Sequence, residues 1–378
     1  MKWKIPLYKV LNDKEDLKAV NQVIKRGMDW AIGPEIENFE KELGKYVGSK
    51  YCVSFNSGTS AGHAALLALK INRKSHILVP SFSFIATANW PLMINAIPKF
   101  VDIESESFGI DPIDMNKKIS LKTEAVIPVH YAGLPCKINE IKEITKRKKI
   151  PLVEDAAESL GASVKKQKVG TFGDLAIFSF AGNKVITCGE GGAIVTDSEK
   201  ISERLKLIRS HGRLKNANYF KTNETPKYIE LGYNWRMSSI TAALANSQLQ
   251  KIDKLIEKRR RNAKYIKQKL KKFQKIKFLE EPNGTKHVQQ LFTISLPSKT
   301  IRNKFSKFLT KKGIMTKIFF DPIHTSEFYK KNFKLKLTNT EMISSKIISL
   351  PMFPELTKTE MNYICDSVSE FMEKENCY

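Results

Sequence analysis

From Tyr51 to Thr196, short apolar runs alternate with stretches whose apolar residues recur at helical spacing. The runs Tyr51–Phe55, His76–Pro80, Ile97–Asp102, Ala125–His130, Pro151–Asp155, Leu175–Phe180 and Ala193–Thr196 predict strands. Between them, Ser60–Ile71, Ala86–Ile94 and Lys137–Lys148 carry the helical period. Strand–helix alternation of this kind predicts an α/β fold, a mostly parallel sheet covered by helices on both faces. Ahead of it, Ile36, Phe39, Leu43 and Val47 repeat at helical intervals behind Gly33-Pro34, which predicts an N-terminal helical arm.

Beyond Ser238 the pattern changes. A long helical stretch to about Phe273 leads into mixed signals, with strands near Leu291–Leu296 and Met315–Phe320 and helices near Ile301–Lys312 and Thr357–Met372. A chain of 378 residues is too long for one ordinary core. The expected division is an arm plus large domain over residues 1–250, then a smaller C-terminal α/β domain over residues 251–378. The longest weakly polar stretch, Ile85 to Pro98, is interrupted by Asn89 and Asn95 and is too short to span a membrane. Met1-Lys2-Trp3-Lys4-Ile5-Pro6 carries no secretory pattern. Cys52, Cys136, Cys188, Cys365 and Cys377 fall at neither paired nor metal-ligand spacing, which fits reduced thiols in a cytoplasmic protein without a metal site.

The formal net charge of +25 raises the question of a nucleic-acid partner. Lysines are spread over the whole chain, and the denser stretch from Lys251 to Lys277, with Arg259-Arg260-Arg261, comes without any zinc-finger spacing, aromatic RNA-binding signature or helix-turn-helix. Solvated helix faces account for such a charge better than a nucleic-acid surface does, and a basic cleft also suits a nucleotide diphosphate.

Four segments carry the chemistry. They are Asn56-Ser57-Gly58-Thr59-Ser60, Val153-Glu154-Asp155-Ala156-Ala157-Glu158, Phe178-Ser179-Phe180-Ala181-Gly182-Asn183-Lys184 and Gly232-Tyr233-Asn234-Trp235-Arg236. Together they supply what pyridoxal phosphate (PLP) requires: a lysine for the aldehyde, an acid for the pyridine nitrogen, a phosphate cradle and a flat group against the ring. Lys184 lies between a strand end and the glycine turn Gly189-Glu190-Gly191-Gly192, whereas a lysine taken singly in so basic a chain is a surface residue. Asp155 ends a strand at the carboxyl edge, where open α/β sheets place ligands. There it either pairs with the pyridinium or caps a helix begun by Ala156-Ala157, and Glu154 is available for the same roles. Glu158, one turn on, either meets the cofactor's phenolic oxygen or faces solvent. Asn56–Ser60 follows a strand and opens a helix, a geometry that holds phosphate, and the Ser179 hydroxyl is a further donor. Phe84 is a candidate ring stacker, with core packing as its competitor. His130, His324 and Arg236 are candidates for substrate contact, although a lone histidine is more often structural. No Walker-type or Gly-x-Gly-x-x-Gly loop points to ATP or NAD.

In this order the segments resemble the DegT/DnrJ/EryC1/StrS family of PLP-dependent nucleotide-sugar aminotransferases. The resemblance runs nearly end to end, from Gly33-Pro34-Glu35 through Gly170–Gly173 and Phe178–Gly192 to Leu350-Pro351-Met352-Phe353-Pro354. It implies the large-domain, small-domain architecture of fold-type I aminotransferases, with Lys184 as the Schiff-base lysine and Asp155 as the pyridinium partner. It further implies that Gly58, Thr59 and Ser179 bind phosphate and that Phe84 lies against the ring. Asn234 matches an asparagine that reaches the phosphate from the other subunit, so the resemblance implies a homodimer with shared sites. Gly182-Asn183-Lys184-Val185-Ile186-Thr187 is similar to the branch that aminates C4 of 4-keto-6-deoxyhexoses, to which GDP-perosamine synthases and related UDP-sugar 4-aminotransferases belong. The expected substrates are L-glutamate and such a nucleotide sugar, with 3-keto sugar amination as the alternative. Cys188, Gly62 and Ala181 depart from the usual pattern. The related 3-dehydratases carry histidine where Lys184 stands, and the intact Lys184 and Asp155 argue against a regulatory or nucleic-acid-binding protein on the same scaffold.

Overall fold

The computed structural model describes residues 3–214, 223 and 225–376, so Cys377 lies outside the described residues. Seven strands form the large sheet: β1 (Tyr51–Phe55), β2 (His76–Pro80), β3 (Ile97–Val101), β4 (Thr123–Val126), β5 (Val153–Asp155), β6 (Leu175–Ser179) and β7 (Gly192–Thr196). Ladders join β1-β7-β6-β5 and β3-β2-β4. Parallel bridges Val126–Leu152 and Val129–Asp155 connect β4 to β5 and complete the order β1-β7-β6-β5-β4-β2-β3. Only β7 runs against its neighbours β1 and β6; the other pairings are parallel. The seven strands expected from Tyr51 to Thr196 are found, each within a few residues of its sequence bounds.

Two apolar layers cover the sheet, and the two-residue period of a strand decides which side chain joins which. Leu175 and Ile177 pack into one layer with Val53, Phe55 and Ile194. Ala176 and Phe178 pack into the other with Val195, Phe39 and Leu43. The latter two come from the arm helix Pro34–Val47, whose N-cap is Gly33. The helix Gly58–Ala68 buries Ala61, Gly62, Ala64, Ala65, Leu66 and Ala68, an almost all-round small apolar surface suited to its place between sheet and neighbouring helix. Gly192 lets the start of that helix lie on β7, since a Cβ there would stand 2.3 Å from the Ser57 carbonyl oxygen. Gly62, one of the departures from the family pattern, lies under the Trp90 indole, where a Cβ would stand 2.0 Å from the ring. That departure is therefore a packing exchange with the Trp90 indole.

A second core gathers residues from the C-terminal part, including Phe273, Phe292, Phe305, Ile348 and Phe371. Its antiparallel sheet pairs Lys277–Phe278 with Phe292–Ser295 and the latter with Ile347–Leu350. Ile5 belongs to this core and bridges to Ile314, so the chain's beginning packs with its C-terminal part. The long helical stretch after Ser238 is broken at Gln250-Lys251 into Ser239–Leu249 and Ile252–Leu270. Met315–Phe320 is not a strand; only Lys317 bridges to Ser349, and Phe319 and Phe320 turn into an aromatic cluster with Phe82 and Tyr131. Arg259-Arg260-Arg261 does not present one basic face. Arg259 is buried, Arg260 pairs with Glu281, and Arg261 is exposed.

Candidate active site

The carboxyl ends of β5 and β6 and the start of the helix Gly58–Ala68 converge on one cleft. Asp155 closes β5 and is 4% exposed. Its Oδ2 accepts a hydrogen bond from the Thr87 hydroxyl at 2.8 Å, and its Oδ1 accepts from the Ala157 amide at 3.2 Å. The Ser83 hydroxyl lies 2.8 Å from Thr87 Oγ1 and extends the chain of contacts. Burial pushes the Asp155 pKa above the usual carboxylate value, opposed by Thr87, Ala157 and the positive charge of Lys184. No helix follows Asp155: residues 156–161 form turns, so its expected competitor role as a helix cap falls away.

Glu158 is also buried rather than facing solvent. Its Oε2 accepts the Ala132 amide at 2.8 Å, and its Oε1 lies 3.7 Å from Lys184 Nζ. Lys184 follows the turn after β6, with its side chain 15% exposed. Ser179, at the end of β6, lies beside the first residue of the phosphate-type helix start, where a Cβ on Gly58 would meet its Cβ at 3.1 Å. Ser57 caps that helix through the Ser60 amide, leaving Gly58 and Thr59 at its open N-terminus, with Thr59 exposed. Phe84 is 60% exposed in the loop before Ala86–Met93, which removes core packing as its role.

Glu154 is a different matter. It is fully buried on the other side of β5, where Oε1 accepts the Phe172 and Gly173 amides and Oε2 accepts the Gly170 amide and lies 3.1 Å from His130 Nε2. Such a carboxylate has no acceptor site left for a ligand. His130 is also wholly buried, with Nδ1 accepting the Cys136 amide at 3.2 Å, so it has no face for substrate. His324 is 3% exposed, its nitrogens 2.6 Å from Ser81 Oγ and 3.2 Å from Glu341 Oε1. Neither histidine is placed for substrate contact. Both hold loops at the sheet edge.

Asn234 stands exposed next to Trp235, whose carbonyl accepts the Asn56 amide at 2.9 Å, so this segment borders the phosphate-type cradle. Arg236 is half-buried with Nη1 3.3 Å from Ser210 Oγ. Burial, with Arg213 and Arg209 nearby, holds its pKa below the ordinary guanidinium value. Thr87 and Ser83 went unnoticed in the sequence. A threonine in a helix's first turn carries no signal of a contact across 68 residues.

A profile of the DegT/DnrJ/EryC1/StrS aminotransferase family matches residues 11–369. The chain belongs to this family. The GDP-perosamine synthase of Vibrio cholerae is 32% identical over 378 residues, covering 99% of this chain and 100% of that one. The Helicobacter pylori aminotransferase PseC, involved in the biosynthesis of pseudoaminic acid, matches with a TM-score of 0.92 at 29% identity over 99% of this chain and 100% of that one. The NtdA protein of Bacillus subtilis, solved with its cofactor PMP bound, matches with a TM-score of 0.87 at 27% identity over 96% of this chain and 83% of that one. This DegT/DnrJ/EryC1/StrS protein is thus a PLP-dependent sugar aminotransferase of fold-type I. Its cleft fits the cofactor: a buried, partly unsaturated carboxylate, a lysine amine, and an open helix N-terminus flanked by a hydroxyl. Among the described residues no helix is long and apolar enough to cross a membrane.

Proposed function

We propose that the enzyme moves an amino group from L-glutamate to C4 of a nucleotide-linked 4-keto-6-deoxyhexose, with GDP-4-keto-6-deoxymannose preferred over the UDP-linked counterpart. The observation that carries this reading is the 32% identity to a GDP-perosamine synthase over 99% of this chain, together with the Gly182-Asn183-Lys184 turn. Bound in the cleft, PLP supplies an aldehyde that takes up the amino group and a ring that accepts the electrons released at the reacting carbon. Lys184 would hold it through its Nζ, and the same amine, when not so engaged, would serve as the general acid/base at sugar C4. Glu158 Oε1, 3.7 Å away, directs that amine. Asp155, oriented by Thr87 and Ala157, supports the ring nitrogen, with Phe84 against the ring. Gly58, Thr59 and Ser179 hold the phosphate. Arg236 offers an anion contact for the nucleotide sugar.

Borohydride reduction and peptide mapping should place the cofactor on Lys184. Incubating the enzyme with glutamate and each GDP- or UDP-linked 4-keto-6-deoxy sugar, with mass and NMR analysis of the product, tests the rest. Amine at C4 of the GDP sugar is the expected result, whereas amine at C3, or activity on keto acids alone, sinks the assignment.

The same reading makes the enzyme a homodimer in which Asn234 of each subunit completes the other's phosphate site, consistent with its exposed side chain. Mixing inactive Lys184→Ala with an impaired Asn234→Ala variant should restore activity, because one hybrid site regains both groups. A fully active monomer in sedimentation would rule this out.

A further inference from the structure

Behind the Lys184 turn lies a group of buried polar side chains that the chemistry above does not use. Gln290 is 2% exposed, and its Nε2 donates to the Asn183 carbonyl oxygen at 2.5 Å. That acceptor fixes the orientation of the amide, since the reverse would set oxygen against oxygen. The Gln290 Oε1 is buried without a partner among the described residues. Leaving an amide oxygen so placed is costly, so the side chain is held for what its N–H does.

The segment that presents Gln290 is itself braced. Gln289 has φ +55°, a left-handed conformation that is strained for a side chain of this kind. Its amide donates to His287 Nδ1 at 3.0 Å, a contact that requires an unprotonated nitrogen, and burial holds the His287 pKa down to about 4. Arg259, 2% exposed, directs Nη1 at the carbonyl oxygens of Gln289, Gln290 and Met352, at 3.3, 3.4 and 3.0 Å. No carboxylate among the described residues forms an ion pair with this guanidinium. Its hydrogen bonds go to main chain, those of Gln289, Gln290 and Met352.

We propose that Gln290 is a positioning residue for the catalytic lysine: braced by Arg259 and the left-handed turn at Gln289, its amide sets the Asn183–Lys184 main chain and so the placement of the Lys184 amine. This rests on the reading that Lys184 carries the cofactor. A misplacement of about 1 Å at reacting atoms costs about a hundredfold in rate, so a brace on one carbonyl is enough to matter.

Three variants of the full-length holoenzyme test it: Gln290→Leu, Gln290→Glu and Arg259→Met. Gln290→Leu removes the donor at similar size and should lower kcat about tenfold to a hundredfold with little change in KM for the sugar. The pH midpoint of the lysine-bound cofactor's absorbance should move with it. Gln290→Glu keeps the shape and donates only when protonated, so its activity relative to wild type should recover as pH falls, whereas that of Gln290→Leu should not. Arg259→Met should reproduce the kinetic defect of Gln290→Leu; where it fails to fold, the glutamate and leucine pair still decides. Wild-type kcat and an unmoved absorbance midpoint in Gln290→Leu would overturn the brace, as would matching pH profiles for the two Gln290 variants. If instead the wild-type borohydride adduct maps to another lysine, the underlying site assignment fails, and that outcome is separate.

Discussion

Glu154 and Asp155 are neighbours on one strand, yet they live in different chemical regions. The strand's alternation sends Glu154 to the back of the sheet and Asp155 to the cleft. At the back, three backbone amides and His130 fill the acceptor sites of Glu154. At the front, Asp155 has two protein partners, Thr87 and Ala157, and keeps capacity in reserve. Both carboxylates are buried. What separates a structural acid from the one proposed to face the cofactor is saturation, because a filled carboxylate stabilises the loop wrapped around it while an unfilled one remains available to a cationic partner.

The largest contrast should appear in Asp155→Asn. Losing the charge opposite the ring nitrogen should lower kcat/KM by about a thousandfold, or about 4 kcal/mol. The fold should not suffer. Burial raises the Asp155 pKa, so in the cofactor-free protein this group carries a cost that is absent below the ordinary carboxylate pKa, grows as pH rises from there to the raised pKa, and is fully present above it. Asparagine removes the cost, and the melting temperature of the apo form at neutral pH should hold or rise. A clear fall in apo stability would show that Asp155 is structural after all.

Glu154→Gln should do the reverse. An amide in place of the carboxylate turns an NH2 group toward backbone donors, leaving buried groups without partners at a cost of about 3 kcal/mol. Thermal or urea unfolding should report that loss, and whatever protein remains folded should keep most of its kcat. Equal losses of stability and turnover would erase the distinction between the two regions.

Much of this division was legible in the sequence. The seven strands announced themselves as apolar runs, and the lysine, acid and cradle proposed for the cofactor lay in short segments at strand ends, where local order carries the information. Four things were not legible. Which of Glu154 and Asp155 faced the cleft depended on strand register against loops such as Phe172-Gly173, a long-range property. His130 and His324 sat in polar, turn-rich stretches that looked open, but the chain folds carboxylates and hydroxyls over both. The helix Lys14–Lys25 was missed as well, although its capping box of Asp13 and Asp16 and the helical spacing of Leu17, Val20 and Ile24 are both local signals. Met315–Phe320 failed in the opposite sense, since its apolar residues serve an aromatic cluster instead of a sheet.

Thr87 tests the comparison at its finest grain. Its hydroxyl is buried, donates to Asp155 Oδ2 and contacts Ser83, so it orients the carboxylate without touching the reacting carbon. Thr87→Val keeps the size and removes one neutral donor to a charged acceptor. The expected loss is about 1 kcal/mol, seen as about a fivefold fall in kcat/KM and weaker cofactor retention on dialysis. Asp155 would keep the Ala157 amide, so the effect should stay far below that of Asp155→Asn. In the double variant Thr87→Val with Asp155→Asn, the threonine's contribution should largely vanish, because a group that acts through the carboxylate has nothing left to orient. Additive losses in that cycle would mean that Thr87 contributes to the cleft by a route independent of Asp155.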